Sequence, residues 1–242
     1  MAEVYDCSDS ARLLAAARAA RQALGRGELA VMPTDTVYGI AADAFTPQAV
    51  ERLLEAKGRG RQSPPPVLIP NTATLGALAA EVVEPVRVLA DAFWPGALTI
   101  VLPANPGLDW DLGDTGGTVA LRIPDHPLAL ELLHETGPLA VSSANRTGEP
   151  AARSIDDARR MLGDSVAVYL DAGEVSGDGT ASTIVDATAL TGEGGVLRVL
   201  RDGGVSREAI AGLLPMVTIV GREDPLPSAP TAAADPAGAA EG

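Results

Sequence analysis

LAVMPTDTVYGIAADAFTPQAVERLLEAKGRGRQSPPP, residues 29–66, is the stretch from which the rest of the chain can be read. Leu29-Ala30-Val31-Met32 is a short apolar run with the character of a strand, and Pro33 opens a polar turn, Thr34-Asp35-Thr36, ahead of Val37, Tyr38 and Gly39. Two hydroxyls and a carboxylate at a strand end suit a ligand-facing edge, and equally an ordinary turn. Thr46-Pro47 reads as a helix N-cap and first helical position, and Ala49, Val50, Leu53, Leu54 and Ala56 keep helical spacing until Gly58. Lys57 therefore sits at a helix C-terminus, with Arg59 and Arg61 just beyond it. Seventeen of the eighteen basic residues are arginine, so Lys57 is the only lysine. Arginine is a planar fork, whereas lysine is a compact, rotatable point charge suited to a phosphate. One cation at a helix C-terminus complements the dipole by about 0.3–1 kcal/mol. That accounts for one charge of the three.

Outward from this stretch the chain alternates helices and strands. Ser10–Leu24 is an amphipathic helix; after Ser63-Pro64-Pro65-Pro66 comes a strand, Val67–Ile69, then helices near Thr72–Ala80 and Pro85–Phe93. Trp94-Pro95-Gly96 breaks the chain before a strand at Ala97–Leu102, and a Gly- and Asp-rich loop runs from Asn105 to Gly117. In the strand Thr118–Pro124 the alternation puts Thr118, Ala120 and Arg122 on one face, with Val119, Leu121 and Ile123 on the other. A helix follows Asp125-His126-Pro127, and Leu139–Asn145 passes from buried strand to a polar end. Ser154 caps a helix to Leu162, Val166–Leu170 is a strand, and Ala172–Ala181 is glycine-rich. Strands at Ser182–Asp186 and Gly195–Arg201, a helix from Ser206 and a strand at Met216–Val220 complete the pattern. The adjacent strands between Ser182 and Arg201 require a mixed sheet. The fold class is α/β of the α+β type, a twisted mixed sheet flanked by helices.

With 242 residues and 46% hydrophobic content the chain can bury one good core, so residues 1–221 are expected to form one domain. The Ala/Pro/Gly-rich tail, 222–242, has no period and is expected to be disordered. A formal charge of −14 repels nucleic acid in general, and seven aromatic residues are too few for a stacking platform. A bound anion must be held by a local cluster. The single cysteine, Cys7, rules out an internal disulfide framework, and two histidines with it are too few for a typical structural zinc site, which leaves oxygen-liganded Mg²⁺ open. The N-terminus lacks a secretory pattern and no apolar run is long enough to span a bilayer, so a cytoplasmic protein with no membrane partner is expected. The lone lysine lies between Ala56 and Gly58, which excludes a Walker P-loop; neither G-x-G-x-x-G after a strand nor G-x-S-x-G occurs.

Pro33-Thr34-Asp35-Thr36-Val37-Tyr38-Gly39, then Lys57-Gly58-Arg59, then Ser143-Ala144-Asn145 together resemble the YrdC/Sua5 family of threonylcarbamoyl-AMP synthases, whose hallmarks are a PT(E/D)TVYGL-like opening, a K-x-R and an S-x-N. Trp94-Pro95-Gly96-Ala97-Leu98-Thr99 is similar to the family's W-P-G-x-L-T, read as a structural anchor. The resemblance implies a YrdC-like sheet with a large concave active-site surface, in the single-domain form without the extra C-terminal domain of longer Sua5 members. It implies a nucleotidyltransferase joining L-threonine, bicarbonate and ATP into threonylcarbamoyl-AMP and pyrophosphate for t⁶A37 modification of tRNA, with Mg²⁺ accompanying ATP and a TsaD/TsaB/TsaE-type transfer machinery downstream.

Carried over residue by residue, Lys57 and Arg59 hold the triphosphate and are the catalytic cations. Thr36, Arg122, Val141 and Ser182 take L-threonine, and Ser63, Thr118, Ser143, Asn145 and Arg198 contact the nucleotide; no metal ligand is assigned. The chain departs from the family at Leu68, where many relatives carry a histidine near the amino acid, and at Val141-Ser142-Ser143, where A-P-S is usual. Two other readings stand beside this one: a YciO-like paralogue with a different activity, and a double-stranded RNA-binding module, with RNA binding a weak accessory property at most.

Overall fold

The computed structural model describes residues 2–7, 10–175, 179–192 and 194–225. Strands β1 (Glu3–Asp6), β2 (Ala30–Met32), β3 (Gly39–Asp43), β4 (Val67–Leu68), β5 (Leu98–Pro103), β6 (Thr118–Arg122), β7 (Leu139–Ser143), β8 (Val168–Asp171), β9 (Thr183–Thr191), β10 (Gly194–Arg201) and β11 (Val217–Gly221) form one mixed sheet, ordered β1-β8-β2-β3-β7-β4-β6-β5-β9-β10-β11. Helices α1 (Ser10–Gly25), α2 (Pro47–Lys57), α3 (Thr72–Leu78), α4 (Glu84–Phe93), α5 (Pro127–Thr136), α6 (Ile155–Leu162) and α7 (Arg207–Leu213) flank it. β9 and β10 pair antiparallel, as the run of adjacent strands required. The rest of the expected tail, 226–242, lies outside the described residues.

Two strands were not legible in the sequence. β1 is an edge strand whose Glu3 and Asp6 are exposed, so it shows no apolar pattern; it pairs with β8 in parallel. β3, Gly39-Ile40-Ala41-Ala42-Asp43, is buried on both faces and composed largely of small residues, so neither alternation nor β-branched enrichment marks it. It runs antiparallel between β2 and β7, which brings Gly39 opposite Ser143.

Helices cover the two halves of the sheet unequally. At the β1-to-β7 end, α1 and α5 bury Ala16, Ala20, Leu24 and Leu132 against Ala30, Met32 and Leu170 on one face. On the other face α2 and α6 bury Leu53, Ile155 and Leu162 against Val31, Ile40 and Tyr169. Beyond β7, α3, α4 and α7 place Leu75, Val86, Leu89 and Ile210 on Ile100, Leu121, Val185 and Leu197. The opposite face of this second half carries Thr99, Val101, Ala120, Arg122 and Ile184, which line a hollow instead of a core. Trp94 anchors the break before β5: it is buried in the large cluster, and its Nε1–H donates to Leu98 O at 2.7 Å.

α2 ends as its sequence dictates. Gly58 adopts φ +64°, and the N–H groups of Gly58 and Arg59 bond to Glu55 O and Leu54 O at 2.9 and 2.8 Å, satisfying two terminal carbonyls. The left-handed residue turns the chain sharply, so that Lys57 stays inside the fold while Arg59 emerges at the hollow. At the other end the Thr46 hydroxyl, expected as a cap, donates to Asp43 Oδ2 at 2.9 Å and makes no capping bond.

Candidate active site

The hollow has a volume of about 440 Å³, within the range of small-ligand sites. Its charged lining residues among those described are Arg59, Arg122 and Arg201, with no carboxylate among them. On a chain with a formal charge of −14, three guanidiniums converging on one concavity make an anion receptor. Their mutual influence shows in Arg201, whose pKa is lowered by burial first and then by Arg122 and Arg59. All three remain charged.

Arg122 leaves β6 on the expected face, beside Thr118 and Ala120 on the wall of the hollow. It is buried, 6% exposed, and donates from Nε to Gly96 O at 2.8 Å, from Nη1 to Thr36 Oγ1 at 3.1 Å and from Nη2 to Asp35 Oδ1 at 2.6 Å. Five N–H groups make three such bonds, which leaves two for a ligand. Burial lowers its pKa and Asp35 partly restores it. The polar turn after β2 thus has a definite job. Thr34 Oγ1 donates to Val37 O at 2.6 Å and accepts from the amides of Thr36 and Val37, fixing Asp35 and Thr36 under the guanidinium.

Val141 and Gly39 form the apolar part of the same wall. A Cβ on Gly39 would lie 2.7 Å from Val141 Cγ1, so β3 can approach β7 here only with no side chain. Gly39→Ala is expected to cost about 1–3 kcal/mol of stability, read by denaturant unfolding, and to displace Val141 into the hollow. An unchanged unfolding midpoint would show that the two strands can part freely.

At the opposite wall Ser182 is buried, its hydroxyl 2.9 Å from Thr99 Oγ1, and its carbonyl accepts from Arg201 Nε and Nη2 at 3.0 and 2.7 Å. Thr118 and Ser143 also line the hollow, and Thr118 Oγ1 donates to Thr115 O at 2.8 Å. Arg59 reaches it from the other side, bonded to Ser142 Oγ and Thr147 Oγ1 at 3.2 Å each.

The structure does not bring all the expected residues to the wall. Lys57 stands behind it. The side chain is wholly buried, and its ammonium donates to Ser143 O, to Asn145 O at 2.8 Å and to Asn145 Oδ1 at 3.4 Å. Burial first, then Arg59, pulls its pKa down to about 7, while the three oxygens favour the charged form. Asn145 is likewise internal: its amide donates to Arg146 O and Glu149 O, so it organises the turn after β7. Ser63 flanks the lining prolines from outside, in a turn closed by its N–H on Gly60 O.

Arg198 is placed elsewhere. Its Nη1 donates to Gly221 O, Arg222 O and Asp224 O, tying down the chain after β11, and it does not line the hollow. Arg201 does. A register shift between Val199 and Arg201 lets Leu200 and Arg201 both face the hollow, whereas Arg198, carried over from the family motif, is spent on the chain after β11. The available signal was Arg201's place at the strand end, before Asp202-Gly203-Gly204.

A mixed sheet with helices on both faces of one half and on one face of the other, and a guanidinium-lined hollow on the remaining face, defines a protein with a preformed concavity suited to small anions. The Sua5/YciO/YrdC family, described as "Telomere recombination", matches residues 22–203. A Mycobacterium tuberculosis protein provisionally named threonylcarbamoyl-AMP synthase is 51% identical over 214 residues, covering 88% of this chain and 96% of the relative. The threonylcarbamoyl-AMP synthase of Pyrococcus abyssi is 37% identical over 196 residues, 80% of this chain and 55% of its own length. A crystal structure of P. abyssi Sua5 complexed with L-threonine superposes with a TM-score of 0.79 at 32% identity, over 90% of this chain and 62% of that one. E. coli YciO shares the fold, with a TM-score of 0.74 at 19% identity, over 87% of this chain and 100% of its own. The chain belongs to the Sua5/YciO/YrdC family, and it spans less than two thirds of the P. abyssi chain.

Proposed function

We propose that the protein is an L-threonylcarbamoyladenylate synthase, making threonylcarbamoyl-AMP and pyrophosphate from L-threonine, bicarbonate and ATP for the t⁶A modification of tRNA. The observation that carries the reading is the set of three guanidiniums in a carboxylate-free hollow, because each reacting species is an anion: the triphosphate, the amino-acid carboxylate and the carbamate. The threonine amine adds to bicarbonate with loss of water to form the carbamate, whose oxygen attacks the α-phosphorus and expels pyrophosphate. Such a transfer needs positioning and charge stabilisation more than a protein nucleophile.

In this reading Arg122 takes the threonine carboxylate with its two spare N–H groups, and Thr36, Val141 and Ser182 shape that end. Arg59 and Arg201 receive the triphosphate, with Thr118 and Ser143 beside it. Lys57 serves the reaction through the turn it holds, and Asn145 and Ser63 support the wall from behind.

Mg²⁺ fits as a companion of ATP. Among the described residues no group of three His, Cys, Asp or Glu could hold a metal, and the side chains lining the hollow bring hydroxyls and guanidiniums but no carboxylate. Its ligands would be phosphate oxygens and water, as is common for Mg²⁺, and its chemistry would be to offset phosphate charge.

The product would pass to a TsaD/TsaB/TsaE-type transfer machinery. The cations converge inside a hollow instead of forming an exposed stripe, which disfavours an RNA groove. The likeness to YciO is one of fold at 19% identity, against 51% for the mycobacterial relative. No helix among the described residues is long and apolar enough to cross a membrane.

The test is to incubate purified protein with labelled bicarbonate, threonine and ATP, leaving out each in turn. Labelled adenylate is expected only from the complete mixture. Pyrophosphate release that ignores threonine would overturn the assignment.

A further inference from the structure

One wall of the hollow is built from two segments far apart in sequence: the stretch after α2, which supplies Arg59 and Pro64–Pro66, and the 105–117 loop, which supplies Leu112 and Thr115. Arg61 joins them. Its Nη1 and Nη2 donate to Asp111 Oδ2 and Oδ1 at 3.0 and 2.8 Å, a bidentate pair, and its Nε lies 3.5 Å from Asp114 Oδ1. The backbones meet at the same point. Asp114 N–H donates to Arg61 O at 2.8 Å, and Gly113, at φ +102°, lies so close that a Cβ there would stand 2.7 Å from that oxygen. Asp111 also accepts the Gly113 amide at 3.0 Å, which shapes the loop around the arginine. Arg61 and Gly113 hold the Asp111 carboxyl below its usual pKa. Trp110, the residue before Asp111, stacks on Phe45 with ring centroids 5.5 Å apart.

Exposed ion pairs usually contribute little. This one differs in its two-point geometry, its second carboxylate and the backbone bond beneath it, and it is the side-chain link that closes the wall between residues 50 positions apart. We propose that Arg61 is a positioning residue for the nucleotide end of the site: by clamping the 105–117 loop through Asp111 and Asp114, it fixes Thr115 and its partner Thr118 in the wall they share with Arg59. The proposal rests on reading the hollow as the ATP site. It gives the loop a function in catalysis without any contact between Arg61 and substrate.

The test uses the full chain as Arg61→Asp, Asp111→Arg and the double charge swap, with two readouts. In the adenylate assay each single variant should raise KM for ATP by roughly tenfold, with kcat and the KM for threonine within about twofold, and the double swap should return the ATP KM to within about threefold of wild type. Without substrate, acrylamide should quench Trp110 more readily in the single variants than in wild type or the double swap; the second tryptophan, Trp94, is buried and contributes a constant background. Single variants that expose Trp110 without moving the ATP KM, or a double swap no better than its parents, would overturn the proposal. If the wild-type protein makes no adenylate, the assignment of the hollow falls, and the quenching series alone upholds or overturns the clamp.

Discussion

Lys57→Met is expected to lower the thermal midpoint by something on the order of 5–10 °C and to reduce adenylate formation by about a hundredfold or more. The methionine fills the same channel with no donor, so Ser143 O, Asn145 O and Asn145 Oδ1 all lose a buried partner. Each oxygen left unsatisfied costs about 1–3 kcal/mol, offset in part by no longer burying an amine. The activity falls because Ser142, which holds Arg59, and Ser143, on the wall, lie at the mouth of the turn that Lys57 braces. The same site gives a pH signature. The folded chain releases the lysine proton near pH 7, and the unfolded chain keeps it to about 10.5. Between those values the unfolded state binds more protons, so this group makes stability rise with pH; the contribution is complete above 10.5 and lost as pH falls through 7. The variant should lack that slope. Thermal melts of both proteins from pH 6 to 9 decide the matter, and parallel curves would mean that the ammonium is not confined as described.

For Arg122→Ala the expected result is a ten- to hundredfold loss in kcat/KM for threonine, the equivalent of one charge-assisted bond of about 1.5–3 kcal/mol. A second effect accompanies it. Asp35, with 15% of its side chain exposed, would keep a charge without its partner, which commonly costs about 3–5 kcal/mol. Adding Asp35→Asn separates the two: stability should recover while threonine use stays impaired. Steady-state kinetics with threonine varied at saturating ATP, alongside unfolding curves, measure both. A folded double variant with the wild-type threonine dependence would remove Arg122 from the amino-acid site.

Much of the architecture was legible because its signals are local. The Gly58 stop, the Ser154 cap, the helix start at Ser206 and the alternation that points Thr118, Ala120 and Arg122 the same way depend on near neighbours in the chain, and all appear in the folded protein. The family resemblance likewise rested on short motifs. The order of the strands was not legible, nor was the existence of β3, whose small buried residues carry no pattern until β2 and β7 flank it.

The sequence by itself determined that three cations follow or end a helix, that a further arginine rides on a strand, and that so acidic a chain must hold any anion locally. Tertiary structure decided which of these charges face a ligand. Lys57 turned inward, since carbonyls nearly ninety residues away happen to lie within reach of its ammonium. Arg198 is drawn to the carbonyls after β11, and a register shift in β10 brings Arg201 to the wall beside Leu200. Local conformation obeys near-neighbour sterics and can be read along the chain; the burial of a charge depends on partners that only folding brings together.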